Sequence, residues 1–161
     1  MKDMPLEIER KFLVAGDFRS EVFDSTRITQ GYISRAPGRT VRVRIRGDKA
    51  FLTIKGKIKD TAFSRFEWEK EISVADAQCL LQIAEPGIID KTRHLVRNTD
   101  GKHIWEIDEF YGDNEGLVMA EIELGSEEES FDKPSWLGEE VTSDRRYYNS
   151  MLAQQPYKNW K

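Results

Sequence analysis

Leu6-Glu7-Ile8-Glu9-Arg10-Lys11-Phe12-Leu13-Val14 alternates charge with apolar bulk, and the reading of the whole chain turns on that alternation. In an extended segment, residues two apart share a face. Glu7, Glu9 and Lys11 therefore point one way, and Leu6, Ile8 and Phe12 the other. Two carboxylates roughly 6–7 Å apart on one strand face repel each other. A surface strand gains nothing by stacking them, whereas a divalent cation beside them would gain a great deal. The plain alternative is a solvated strand with ordinary charge alternation. The rest of the chain decides between the two.

Working outward, the same period of two recurs. Strands are expected at 5–14, 27–35, 39–47, 50–56, 63–73, 88–97, 102–110 and 116–124. Pro37-Gly38, Gly47-Asp48, Gly56, Pro86-Gly87, Asp100-Gly101 and Gly112-Asp113 punctuate them, and Asp100-Gly101 between two alternating runs is a hairpin signal. Helices are fewer. Ser73 with Asp76 three residues on resembles a capping arrangement for a helix over 74–84, and Ser143 caps a second over 144–153. Short helical stretches are expected near 15–23 and 126–131. No repeat or linker interrupts residues 1–161, so the expectation is one domain.

The parity of charge on each run is the informative test. Arg42, Arg44 and Arg46 share a face, opposite Val41, Val43 and Ile45. Thr53 and Lys55 oppose Leu52 and Ile54, while Arg65, Glu67, Glu69 and Glu71 oppose Phe66, Trp68 and Ile72. Lys91 and Arg93 share a face, as do Glu106 with Asp108 and Glu121 with Glu123. A half-exposed sheet normally mixes both signs with Thr, Ser and Gln. Here the signs are segregated, one strand arginine and another glutamate, which is unfavourable unless opposite charge sits between them. A polyanion would offset the arginines, and a metal the glutamates. Eight antiparallel strands suffice to close a barrel of modest bore. The expected fold is therefore α+β, mainly β: a closed eight-stranded antiparallel barrel with a charged lumen and a few helices packed outside.

Composition narrows the partners. Charged residues make up 34% of the chain and hydrophobic ones only 39%, so the charge belongs somewhere other than a conventional core. A net charge of -4 leaves no basic excess for nucleic acid, although a local Arg/Lys cluster can still hold a small polyanion. The single cysteine, Cys79, excludes an internal disulfide and a zinc framework, and in the run CLLQIA it reads as a buried helix residue. No apolar run is long enough to span a bilayer and no signal-peptide pattern opens the chain, so no membrane partner and a cytoplasmic location are expected. A homodimer is compatible with the sequence, but no residue specifies it. His94 and His103 lack partners at metal-ligand spacing and read as surface or packing residues. Trp68, Trp105 and Trp136 are expected on the barrel's outside, and Glu127-Glu128-Glu129 on a solvated loop or helix face.

The ordered series resembles the CYTH superfamily, the triphosphate tunnel metalloenzymes. Glu7-Ile8-Glu9-Arg10-Lys11 matches that family's ExExK signature. Gln30-Gly31-Tyr32, Arg42 and Arg44, Thr53-Ile54-Lys55, Glu67 and Glu69, Lys91-Thr92-Arg93 and Glu106-Ile107-Asp108-Glu109-Phe110 follow in the family's order. Glu121-Ile122-Glu123, the run from Trp136 to Thr142, and Arg146-Tyr147 complete it. The likeness is to the compact single-domain bacterial members and implies an eight-stranded tunnel in which a triphosphate is turned over with a divalent metal.

The resemblance also implies roles. Lys11, Arg42, Arg44, Lys55 and Arg93 look like phosphate ligands, joined by Arg146 from the C-terminal segment. Glu7, Glu9, Glu121 and Glu123 look like the metal-side carboxylates, with Glu67, Glu69 and Asp108 in the same lumen. Magnesium or manganese suits such oxygen donors, and Glu121 or Glu123 is expected to hold the ion that aligns the attacking water. Tyr32 and Lys91 form a separate candidate acid–base pair, since a cation-rich tunnel favours loss of the lysine proton and a nearby ammonium favours tyrosinate. The simpler alternative is that Tyr32 packs at the wall and Lys91 contacts phosphate. The leading expectation is hydrolysis of inorganic tripolyphosphate to pyrophosphate and phosphate. Adenylate cyclase and thiamine triphosphatase are the alternatives within the family, and a non-catalytic polyphosphate- or nucleotide-binding module is the alternative of another class.

Overall fold

Alternating charge and bulk do build strands along the chain. The computed structural model describes residues 8–57 and 65–160; Glu7 of the opening stretch lies outside them. The elements are β1 (Ile8–Val14), β2 (Val22–Ser34), β3 (Arg39–Arg46), β4 (Lys49–Lys57), β5 (Arg65–Ile72), α1 (Val74–Gln82), β6 (Ile89–Arg97), β7 (Ile104–Phe110), β8 (Val118–Leu124), β9 (Leu137–Glu140) and α2 (Asn149–Gln154). They form one antiparallel sheet of order β5-β4-β3-β2-β6-β7-β8-β1-β9. No described helix is long and apolar enough to cross a membrane.

The expected closed eight-stranded barrel is corrected in two respects: among the described residues there are nine strands, and the sheet they form is not closed. The unforeseen β9 pairs with β1 along the edge that β8 leaves free, at Phe12↔Glu140 and Val14↔Leu137. With both edges of β1 occupied, the two ends of the ladder among the described residues are β5 and β9, which do not pair. The four residues Leu-Gly-Glu-Glu show too short an alternation to announce a strand.

β2 is the longest strand and joins the two halves. Its residues from Val22 to Gln30 pair with β6, and those from Ile28 to Ser34 with β3. Register shifts at Val22/Asp24 and Tyr32/Ser34 mark local bulges, which bend a strand and increase its twist.

Apolar residues collect on both faces. On the face opposite the charged rows, Phe12, Trp105, Ile107, Ala120, Ile122 and Trp136 form one buried cluster. Trp105 stacks edge-on against both Phe12 and Trp136. A second cluster on that face joins Val43 and Ala50 to Ala77 of α1. Ser73 caps α1 as expected, its side chain accepting from the Asp76 backbone N–H. Cys79 is exposed rather than buried, because α1 turns Val74, Ala77 and Leu81 toward the sheet and position 79 away from it. Trp68 is likewise part-exposed, while Trp105 and Trp136 are buried.

The second helix corrects another expectation. The stretch foreseen as 144–153 is a 3-10 turn at Arg145–Tyr147 followed by α2, and α2 does not pack outside. Leu152 and Ala153 pack with Ile89, Phe110 and Met119, which share the face of the charged rows by register. The lumen is therefore closed by apolar packing at one end. Gly87 makes that docking close: its φ is +101°, and a Cβ there would lie 1.8 Å from the Ala153 carbonyl oxygen. The stretch at 15–23 holds only a 3-10 turn, Arg19–Glu21, and no helix forms at 126–131.

Candidate active site

Cross-strand register gathers the charged rows on one face of the sheet. Tyr32 stands opposite Arg42, Arg42 opposite Thr53, and Thr53 opposite Glu69. Gln30 stands opposite Arg44, and Lys55 opposite Glu67. In the other half, Arg93 faces Asp108, Glu106 faces Glu121, Glu121 faces Lys11, and Glu123 faces Glu9. Period-two alternation in each strand, carried through an antiparallel ladder, is enough to produce this concentration.

The deepest element is a buried trio. Lys91 Nζ donates to Asp108 Oδ2 at 2.8 Å, and Arg93 donates to the same carboxylate from Nε and Nη2 at 2.8 and 2.9 Å. Lys91 is wholly buried and Asp108 almost so. Burial would raise the Asp108 carboxyl, but Lys91 and Arg93 outweigh it and hold the group well below the usual carboxylate range. One carboxylate cannot neutralise two cations. Burial pushes Lys91 down to about 8, with Arg93 and Arg44 reinforcing it against Asp108. Burial also opposes the charge on Arg93, yet its hydrogen bonds to Asp108 raise it overall.

From the trio, charge alternates toward β1. Arg93 Nη1 lies 3.1 Å from Glu106 Oε2, and Lys11 Nζ lies 3.7 Å from Glu121 Oε1. Burial raises the Glu106 carboxyl; Arg93 opposes the shift and Glu121 reinforces it. Carboxylates directly opposite each other, Glu106 with Glu121 and Glu9 with Glu123, are a destabilising arrangement for a bare sheet. Hard cations relieve it by taking carboxylate oxygens. Among the described residues, no three acidic, imidazole or thiol side chains gather around one point. Glu121 is buried and Glu123 exposed.

The other half is cationic and sparsely compensated. Burial, then Arg42 and Arg93, push Arg44 down to about 9. Its Nε donates to Gln30 Oε1 at 2.7 Å, a neutral acceptor. Thr53 donates to Glu69 at 2.8 Å, and Lys55 lies 3.9 Å from Glu67. Tyr32, Thr40, Arg42, Thr53 and Lys55 line a hollow of about 50 Å³. A larger hollow, about 210 Å³ between Asp100, Lys102, Ser130, Phe131 and Asp132, contains no member of the charged rows.

Two sequence-nominated groupings are not assembled. Lys91 stands opposite Ile28, four positions along β2 from Tyr32, and its partners are Asp108 and Asn149. Tyr32 and Lys91 are thus separated by roughly 13 Å along the strand. Arg146 is exposed, bound to Asp144 and lying 5.0 Å over the Trp160 ring. Conversely, the C-terminal segment brings residues that strand parity could not nominate. Tyr148 lies under Lys11 Nζ at 4.5 Å, and Asn149 accepts from Lys91 at 3.1 Å. Gln30, Thr53 and Glu106 were legible as landmarks of the family resemblance, Thr53 and Glu106 also by strand parity, but neither signal gave them a role. His94 and His103 are satisfied by Ser25 with Glu109, and by Asp100 with Glu129.

One face of the sheet sets buried cations beside stacked carboxylates, the kinds of group that suit a polyanion and a hard cation. The CYTH domain model matches residues 5–154, and the chain belongs to that family. It is 46% identical over 159 residues to an inorganic triphosphatase of Acetivibrio thermocellus, covering 98% of this chain and 99% of that one. It is 37% identical over 151 residues to an inorganic triphosphatase of Nitrosomonas europaea, covering 91% and 96%. A crystal structure of an inorganic triphosphatase superposes with a TM-score of 0.75 at 35% identity, covering 94% of this chain and 97% of that chain.

Proposed function

We propose that this chain hydrolyses inorganic tripolyphosphate to pyrophosphate and phosphate, with magnesium or manganese, on the charged face of its sheet. The observation that carries the reading is the pair Arg42 and Arg44, given the neutral acceptors Thr53 and Gln30, on the same sheet face as Lys91, Arg93 and the stacked carboxylates, Glu106 with Glu121 and Glu9 with Glu123. The two highly similar relatives of nearly full coverage, both inorganic triphosphatases, support it.

Arg42, Arg44 and Lys55 would grip one end of the substrate, and Lys11 and Arg93 the other. Arginine's fork pairs with phosphate oxygens bidentately, while lysine acts as a movable point charge. Glu9, Glu121 and Glu123, with Glu7, would supply the metal-side oxygens. A bound divalent ion would neutralise charge developing on the phosphoryl oxygens and align water. Glu67 and Glu69 steady Lys55 and Thr53, and Asp108 fixes Lys91 and Arg93 in place. Lys91 serves phosphate through its charge, and Tyr32 serves as part of the wall. Arg146, engaged by Asp144, is left out of the assignment.

The deciding experiment measures phosphate release and product identity for tripolyphosphate, thiamine triphosphate and ATP, each with magnesium or manganese. Preference for tripolyphosphate is the expected result. Preference for thiamine triphosphate, or cyclic nucleotide from ATP, would replace the reading with that activity. Tight binding without turnover of any of them would make the chain a binding module.

A further inference from the structure

Arg93 and Arg44 are held in contrasting ways on the same sheet face. Arg93 is gripped by a carboxylate, through Nε and Nη2 to Asp108. Arg44 instead gives its Nε to the amide oxygen of Gln30 at 2.7 Å. Gln30 is completely buried, flanked on β2 by Arg44 on one side and Ile89 on the other. Its own Nε2 is buried without a hydrogen-bond partner, as is Nε of Arg42 one step along the same face.

A half-satisfied buried glutamine is a poor packing residue, because methionine would fill similar volume without an orphaned donor. The orientation of the amide is forced. Turned over, it would set an N–H against the guanidinium N–H, donor against donor. Gln30 therefore keeps an unpaired nitrogen in order to point its oxygen at Arg44. That oxygen fixes the guanidinium through Nε and leaves both Nη groups for another acceptor. Being neutral, it also leaves the charge of Arg44 uncancelled, which a glutamate at this position would not.

We propose that Gln30 is a positioning residue for Arg44 in triphosphate turnover, a neutral acceptor that locks the guanidinium toward the phosphoryl group without neutralising it. The inference rests on the triphosphatase reading of the site.

The test compares Gln30→Met and Gln30→Glu with the unaltered protein by steady-state kinetics on tripolyphosphate with magnesium, alongside thermal unfolding of each. In folded Gln30→Met, kcat should fall about tenfold while KM moves less than about threefold, since a wandering guanidinium loses alignment in the transition state. In Gln30→Glu, KM should rise about tenfold because the carboxylate competes with phosphate for Arg44. In an Arg44→Lys background, where Nε no longer exists, Gln30→Met should alter kcat less than about twofold. Unchanged kcat in folded Gln30→Met, or the same fall in both backgrounds, overturns the role of Gln30. Should Gln30→Met not fold, Gln30→Glu with unchanged KM overturns it. An unaltered protein that turns over no triphosphate overturns instead the reading of the site.

Discussion

Asp108 shows most clearly how one side chain organises its surroundings. Its carboxylate serves Lys91 and Arg93 together, in a place water scarcely reaches. Asp108→Asn would leave two buried cations facing each other, and removing one partner of a buried pair typically costs about 3–5 kcal/mol. Urea unfolding should show a loss of that size. Lys91 yields a pH dependence whose sign can be worked out. Its folded value is about 8, below its ordinary 10.5. Between those values the unfolded chain binds more protons than the folded one, so stability should rise with pH across that window. The penalty for charging Lys91 is fully present below about 8 and absent above 10.5. In Lys91→Met that rise, on the order of 3 kcal/mol, should vanish from the pH dependence of unfolding. His103 runs the other way. Hydrogen bonds to Glu129 and Asp100 raise its value. Its contribution is fully present below the ordinary value near 6.5 and is lost as pH climbs through the raised one. His103→Gln should thus lower the melting temperature more at pH 6 than at pH 9.

Secondary elements explain what could and could not be read from the chain. Strand parity was legible because seven of the eight expected runs alternate long enough to expose their period, and the ladder then aligns Arg44 with Gln30 and Glu121 with Lys11. β9 was not legible, since four residues hold two periods at most and its pairing depends on a distant edge of β1. The inward docking of α2 was hidden for another reason. Its apolar residues declare that they will be buried but not against which face, and the decision is made by Ile89, Phe110 and Met119 on the opposite wall. Tyr148 and Asn149 reach Lys11 and Lys91 only as a result of that docking. Gly87 is its tightest point, with positive φ and no room for a Cβ. Gly87→Ala should cost about 2 kcal/mol or more and loosen the C-terminal segment, seen as faster amide exchange over 149–154 than over β6.

For the molecule as a whole, segregated charge makes stability depend on what fills the face. On the proposed function, tripolyphosphate with magnesium binds the folded form alone, and at a hundredfold excess over Kd it should raise unfolding free energy by about 2.7 kcal/mol. Chelation should abolish both that gain and turnover, while thermal unfolding of the bare protein stays unchanged. The seating of β9 has a different consequence, one of timing. Lys11 donates its backbone N–H to Thr142, 131 residues away in sequence, and β1 otherwise pairs only with β8 and β9. β1 therefore waits, its apolar side uncovered, until β8 and β9, more than a hundred residues further along, have been made. Contacts of such high sequence separation fold slowly and expose edges meanwhile. The hairpins β2-β3, β3-β4, β4-β5, β6-β7 and β7-β8 join near neighbours and can form beforehand, so synthesis leaves a half-built sheet that is completed when β2 joins β6 and β1 is seated between β8 and β9.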